Sequence, residues 1–337
     1  MKFTYLAAAL LSTLPLFAHA QTNVTIYGVM DAALAVEDTD APGQDSRTVI
    51  NSGNQSSSRI GFRGTEDLGN GLKALFNIEA GVALDSGAAD SALFGRRAVL
   101  GLQGAFGTVT LGREYSPIAA VAAASDILGQ GMFGSNLSAF ASNRLTRRLA
   151  NSVNYKSPAI SGFTVNAAYS SGERSVEPSG DLMGLSLEYK TGGLYLGAGY
   201  HAIERLALGD DQELAFGAGY TVGPFEIKGN YLKSDPTGAS NAYTNANLGL
   251  AYTVGPGKFF VNYQRQEIDT GARGETVSVA YTYSLSKRTN VYTTYAQLRN
   301  NGSGVFGISS SSTAVTPPAT APGADPSVFT VGLRHSF

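Results

Sequence analysis

Phe329-Thr330-Val331-Gly332-Leu333-Arg334-His335-Ser336-Phe337 ends the chain in strict alternation. On an extended backbone side chains two apart share a face, so Phe329, Val331, Leu333, His335 and Phe337 make an oily side. Thr330, Gly332, Arg334 and Ser336 make a polar one. Phe163, Val165, Ala167 and Tyr169 interleave with Thr164, Asn166, Ala168 and Ser170 in the same way. Segments of this kind recur along the chain and helical periodicity is almost absent. Alternation alone does not choose the solvent, because a soluble sandwich would bury the oily face between two sheets.

The connections choose it. Short turns at Leu68-Gly69-Asn70-Gly71, Gly104 to Gly107, Ser161-Gly162, Thr191 to Gly193, Val222-Gly223-Pro224, Gly255-Pro256-Gly257 and Ser286-Lys287-Arg288 carry Gly, Pro and other turn formers. They alternate with longer polar segments: 37–55, 85–92, 115–150, 172–180, 205–211, 234–243, 268–274 and 300–326. Short links at one end and long ones at the other mark an outer-membrane barrel. The strands are expected near 23–36, 56–67, 72–84, 93–103, 108–114, 151–158, 163–171, 181–190, 194–204, 212–222, 225–233, 244–254, 258–267, 275–285, 289–299 and 327–337. The expectation is therefore an all-β fold, a transmembrane antiparallel β-barrel of about 16 strands, too wide for side chains to fill and so holding an aqueous channel. Tyr27, Phe76, Tyr155, Tyr189, Tyr220, Phe225, Tyr252, Phe259 and Tyr281 fall near strand ends, where amphipathic rings suit the lipid–water boundary. Ser309 to Pro326 resembles a linker, but alternation resumes at Val328, so it reads as a long external loop.

Composition narrows the function. The chain has 337 residues, 43% of them apolar and 15% charged, too apolar for disorder. A net charge of -2 supplies no basic field for nucleic acid. With no Cys, disulfides, thiolate metal sites and a Cys nucleophile are excluded, and no cofactor or metal motif is present. Met1 and Lys2, the apolar stretch Tyr5 to Phe17 and Ala18-His19-Ala20 read as a signal peptide over 1–20, cleaved after Ala20, which leaves 21–337 as one barrel domain.

Val24-Thr25-Ile26-Tyr27-Gly28, the run Ser58 to Ala74 (SRIGFRGTEDLGNGLKA), Phe94-Gly95-Arg96-Arg97-Ala98, Phe106 to Arg113 (FGTVTLGR), Asn151-Ser152-Val153-Asn154-Tyr155 and Gly332 to Phe337 (GLRHSF) together resemble the general-diffusion porins of Gram-negative outer membranes, especially the β-proteobacterial type. The resemblance implies a homotrimer in the outer membrane, in contact with its lipid and lipopolysaccharide. It also implies a third external loop that folds into each lumen and passive passage of small hydrophilic solutes and ions. A terminal aromatic residue, here Phe337, is in such proteins a signal for the barrel-assembly machinery.

By position the third loop is 115–150, the longest connection, and its Ala-rich part from Ala119 to Leu128 suits a short helix lying on the wall. After Glu114 at its root its one acid is Asp126, before Arg144, Arg147 and Arg148, so strong cation selectivity is not expected. Parity supplies the wall. With Ile60 and Phe62 outward, Arg59 and Arg63 face the lumen; with Ala74, Phe76 and Ile78 outward, Lys73, Asn77 and Glu79 face it; Tyr27, Val29, Asp31, Ser152, Asn154 and Lys156 do likewise. In the fourth strand, taking Val99 as outward puts Arg96 and Ala98 inside, the choice the resemblance prefers. A cation facing lipid near the midplane costs about 2 to 4 kcal/mol. Arg59, Arg63, Lys73, Glu79, Arg96, Asp126, Arg148 and Lys156 are therefore the candidates for the pore constriction. Arg97 and Arg113 take the outward parity and are expected to meet an anionic partner at the trimer interface.

Three other classes compete. A barrel enzyme of the acyl-transfer type needs a nucleophile, a His base and an orienting acid. No motif sets a carboxylate or Ser beside His201 or His335, so no catalytic residue is expected. A soluble secreted β protein would leave the membrane without detergent. A substrate-specific channel would line its lumen with an aromatic ladder, for which Tyr195 and Tyr292 are too few.

Overall fold

The computed structural model describes residues 23–141, 144–175, 180–205, 209–238 and 241–337; the expected signal peptide lies outside them. The wall runs through Asn23–Asp38, Arg47–Ser52 with Arg59–Gly69, Leu72–Gly81, Arg97–Gly104, Gly107–Tyr115, Arg148–Lys156, Phe163–Ser170, Leu182–Thr191, Leu194–Arg205, Gly209–Val222, Phe225–Asp235, Tyr243–Val254, Gly257–Ile268, Arg273–Ser284, Thr289–Asn300 and Ser327–Ser336. Arg47–Ser52 and Arg59–Gly69 both pair with the first strand and form the two halves of the second. Neighbours are antiparallel throughout, and the last strand pairs with the first from Val29↔Ser336 to Asp38↔Ser327, closing a barrel of 16 strands. Closure satisfies the backbone that lipid cannot hydrogen-bond.

The short turns have the chemistry that tight hairpins need. Asn70 and Gly71 both have positive φ, 53° and 77°, as do Ser161 and Gly162 at 50° and 87°, the mirror-image turn whose twist matches that of the strands. Directly paired rings gather at this end: Phe163 with Tyr189, Phe225 with Tyr252 and Phe259 with Tyr281, their centroids 4.5, 4.9 and 4.5 Å apart. They form part of an aromatic girdle.

Ile26, Leu100, Leu111, Leu185, Phe216, Leu248 and Val331 are exposed on the outside. The apolar core lies inside instead. Ile118, Val121, Phe133 and Leu145 of the third loop meet Phe306, Ile308 and Val315 of the last loop and Leu232, Tyr243 and Leu298 of the wall. Segment 301–326, expected to be external, thus folds inward. Its apolar residues leave water, and its backbone carbonyls accept from below: Ser57 Oγ donates to Ser311 O at 2.8 Å and Gly134 N to Ser309 O at 3.2 Å.

Candidate pore constriction

Glu79 is the hub of the site. It faces inward on Leu72–Gly81, opposite Gly61 on one neighbour and Arg97 on the other. Arg96 Nε donates to its Oε1 at 2.6 Å, while Arg59 Nε lies 3.3 Å from Oε2 and Tyr27 Oη donates to Oε2 at 3.1 Å. Gly61 leaves room for the Tyr27 ring, which a Cβ there would meet at 2.4 Å. Arg63 sits further toward the short turns, its guanidinium 5.0 Å from the Tyr27 ring centre. These inward parities agree with the sequence reading.

Strand four does not. Val99 pairs with the inward Asn77 and is 4% exposed, whereas Leu100 is 64% exposed, so Val99 and Arg97 face the lumen and Ala98 faces out. Arg96 precedes the strand and reaches Glu79 from its approach. Arg97, expected at a subunit boundary, bonds Glu114 of its own chain through Nε at 2.9 Å. Arg113 is also corrected. Gly112, at φ 121°, lies in a register shift before Glu114, and Arg113 Nε then donates to Gly95 O at 2.6 Å. With Arg147, Arg148, Phe140 and Ser309 to Thr313, Arg113 lines a cavity of about 540 Å³.

Arg148 joins the same network, donating through Nε to Arg96 O at 3.0 Å and through Nη2 to Tyr115 Oη at 2.9 Å. Arg147 lies 5.7 Å from the Tyr115 ring centre. Burial lowers Arg147 to about 10, and it stays cationic at neutral pH. Arg334, inward opposite Asp31 across the closing seam, donates to Ser56 Oγ at 2.8 Å. Among the described residues, Arg59, Arg96, Arg97, Arg113, Arg147, Arg148 and Arg334 thus stand against Glu79, Glu114 and the buried Asp31. Parity on clean strands found Arg59 and Glu79. Arg334 was visible on a polar face, but only barrel closure brings it here.

Three candidates sit elsewhere. Lys73 and Lys156 take lumen positions but are exposed next to the short turns. Glu79 is six residues along from Lys73, roughly 20 Å of strand. Asp126 is 0% exposed and closes a knot inside the third loop, accepting from Leu128 N, Gln130 N and Asn136 N at 3.0, 3.0 and 3.2 Å. Burial pushes its carboxyl up to about 6. It is enclosed by the loop and not exposed to the lumen.

Through its helix and the turns after it the third loop is held by neutral groups, and near its end by Glu213, which accepts from Thr146 N and Oγ1. Its helix, Pro117–Ala124, is capped by Ser116, whose side chain accepts from Ala119 N, and begins with Pro. It lies in a trough of glycines, where a Cβ on Gly199 would stand 3.2 Å from Ile118 Cγ2 and one on Gly217 would stand 2.4 Å from Ser125 Oγ. Beyond it Asn230 Nδ2 donates to Ser125 O, Asn262 Nδ2 to Gly134 O and Gln264 Nε2 to Ser135 O, at 3.1, 2.9 and 3.0 Å. His201 does have a carboxylate beside it, the cross-strand partner Glu213, which sequence spacing did not reveal. Its other nitrogen accepts from the Ile118 backbone N–H, so that nitrogen faces a backbone amide and not a nucleophilic side chain.

Comparisons with known proteins agree with this geometry. A family model described as Gram-negative porin matches residues 7–303. Outer membrane porin protein 32 of Delftia acidovorans is 31% identical, over 100% of both chains. Major outer membrane protein P.IB of Neisseria meningitidis serogroup B is 27% identical over 98% of this chain and 99% of its own. Among solved structures, an anion-selective porin from Comamonas acidovorans superposes with a TM-score of 0.83 at 28% identity, covering 94% of this chain and 100% of that one.

Proposed function

The chain belongs to the Gram-negative porin family, and from that premise we propose that its outer-membrane diffusion channel favours anions. It is a porin, a water-filled path for passive diffusion of small hydrophilic solutes and ions. The observation that carries the anion preference is the imbalance around Glu79: seven arginines on one side of the lumen against three carboxylates, of which Asp31 and Glu79 are themselves buried. The similar porin from Comamonas acidovorans is described as anion-selective. A ring of fixed cations lowers the energy of anions and raises that of cations in transit. The test is reversal potential in a planar bilayer under a potassium chloride gradient. A potential of the sign for chloride flux supports the reading, and one of the potassium sign refutes it.

The working form is a homotrimer. Its support is strand length: from Leu72–Gly81 to Phe163–Ser170 the strands have 8 to 10 residues, whereas from Leu194–Arg205 to Thr289–Asn300 they have 11 to 14. Eight residues tilted by about 40° rise roughly 20 Å, short of an apolar band about 25 Å tall, so partner subunits cover that side while lipid and lipopolysaccharide surround the rest. The polypeptide reaches the outer membrane after cleavage at Ala20, as a single domain over 21–337, with Phe337 read by the barrel-assembly machinery. A substrate-specific channel is disfavoured because Tyr195 and Tyr292 are committed to Glu188 and Asp31. Saturating, competitive flux of one solute would revive it.

A further inference from the structure

The third loop crosses the lumen, yet both of its ends converge on one buried pair in the wall. His201, 0% exposed on Leu194–Arg205, accepts the backbone N–H of Ile118 at Nε2, 3.3 Å away, where the loop begins. Its Nδ1 lies 2.8 Å from Glu213 Oε2 on the next strand. The other oxygen, Glu213 Oε1, accepts both the backbone N–H and the hydroxyl of Thr146, each at 2.9 Å, where the loop ends. An imidazole that accepts at Nε2 and faces a carboxylate at Nδ1 is the neutral tautomer protonated on Nδ1.

We infer that His201 is a proton-operated catch for the third loop: taking up a proton at Nε2 breaks the bond to Ile118 and frees the root of the loop. Protonation puts a second N–H where the lone pair was, so two donors face each other at 3.3 Å. The helix Pro117–Ala124 then leaves its glycine trough and enters the open lumen. Histidine changes charge between about pH 5 and 8.

The surroundings of His201 isolate the effect. The helix packed against it has no titratable residue. Gly184 faces it from Leu182–Thr191, on which Glu188 is held by Tyr195 and Lys190. On Gly209–Val222, Asp211 pairs with Arg205 and leaves Glu213 as the charge that meets the ring. At the loop's end Arg147 turns toward Gln130 and Tyr115.

The inference rests on the third loop being the narrowing element of a pore, and its test separates the two. Single-channel conductance of the parent is compared with that of His201→Gln, whose amide can keep both hydrogen bonds but does not titrate. Both should conduct at pH 7.5, and failure there would count against the pore reading itself. At pH 5 the parent should lose at least half its conductance through frequent closures, with faster hydrogen exchange over 117–124, and His201→Gln should hold its neutral level. An acid response equal in both channels, or none in the parent, would overturn the catch.

Discussion

On the side of the lumen built by the first six strands, the inner face carries arginines braced by Glu79, Glu114, Tyr27 and Tyr115. On the side from Phe225–Asp235 to Arg273–Ser284 the third loop rests on Asn230, Asn262, Gln264, Thr276 and Ser278. Both faces are polar, and they do different work. A fixed charge keeps its reach across several ångströms of water, so the arginines act on ions they do not touch. An amide acts only at contact, and its contacts are carbonyls of the loop. In the proposed channel, wet charge sets which ions pass and neutral hydrogen bonding sets how wide the passage is.

Substitutions can break this division. The largest expected effect is from Arg59→Ser with Arg96→Ser. Two charges about 8 Å from the ion path are worth roughly 1 kcal/mol in water, of opposite sign for anion and cation, so the permeability ratio should move toward cations by about tenfold or more. Reversal potential measures it, and an unchanged ratio would mean the braced arginines are neutral in effect.

Gly217→Val comes next, acting on the neutral side. Its Cβ would meet Ser125, 2.4 Å from Oγ, costing about 1 to 3 kcal/mol as overpacking. The melting temperature should fall and conductance change, with the ion preference of the parent. A large swing in preference would show that the loop, not the wall, carries selectivity. The smallest electrical effect is expected from Asp126→Asn: reversal potential should stay within error of the parent, because the carboxylate is spent on three loop amides. A shift toward anions would restore Asp126 to the pore.

The barrel and half of this contrast could be read from sequence because some strands mark their faces. In Arg59–Gly69 and Leu72–Gly81 the polar residues alternate with Ile60, Phe62, Phe76 and Ile78, and parity placed Arg59, Arg63 and Glu79 correctly. Ala98-Val99-Leu100-Gly101-Leu102 is apolar or small on both faces and has no such marker. Only pairing with Glu79 and Asn77 orients it, which is why Arg97 was misassigned. Arg113 follows a glycine-allowed bulge that breaks period two without a change in composition. Asp126 has the residue type of a pore acid, but three backbone amides meet it only once the loop has folded. The inward last loop was hidden by its Ser/Thr/Pro composition, against which Phe306, Ile308 and Val315 were the available hint.

The seam has a consequence for assembly. Gly28 N donates to Phe337 O at 3.2 Å and Phe337 N to Gly28 O at 3.1 Å, so the end of the last strand is tied near the start of the first. Until these two strands pair, both edges of the sheet present unsatisfied N–H and C=O groups, and the pairing that covers them joins the segments farthest apart in sequence, so closure is the slow, long-range step of barrel formation.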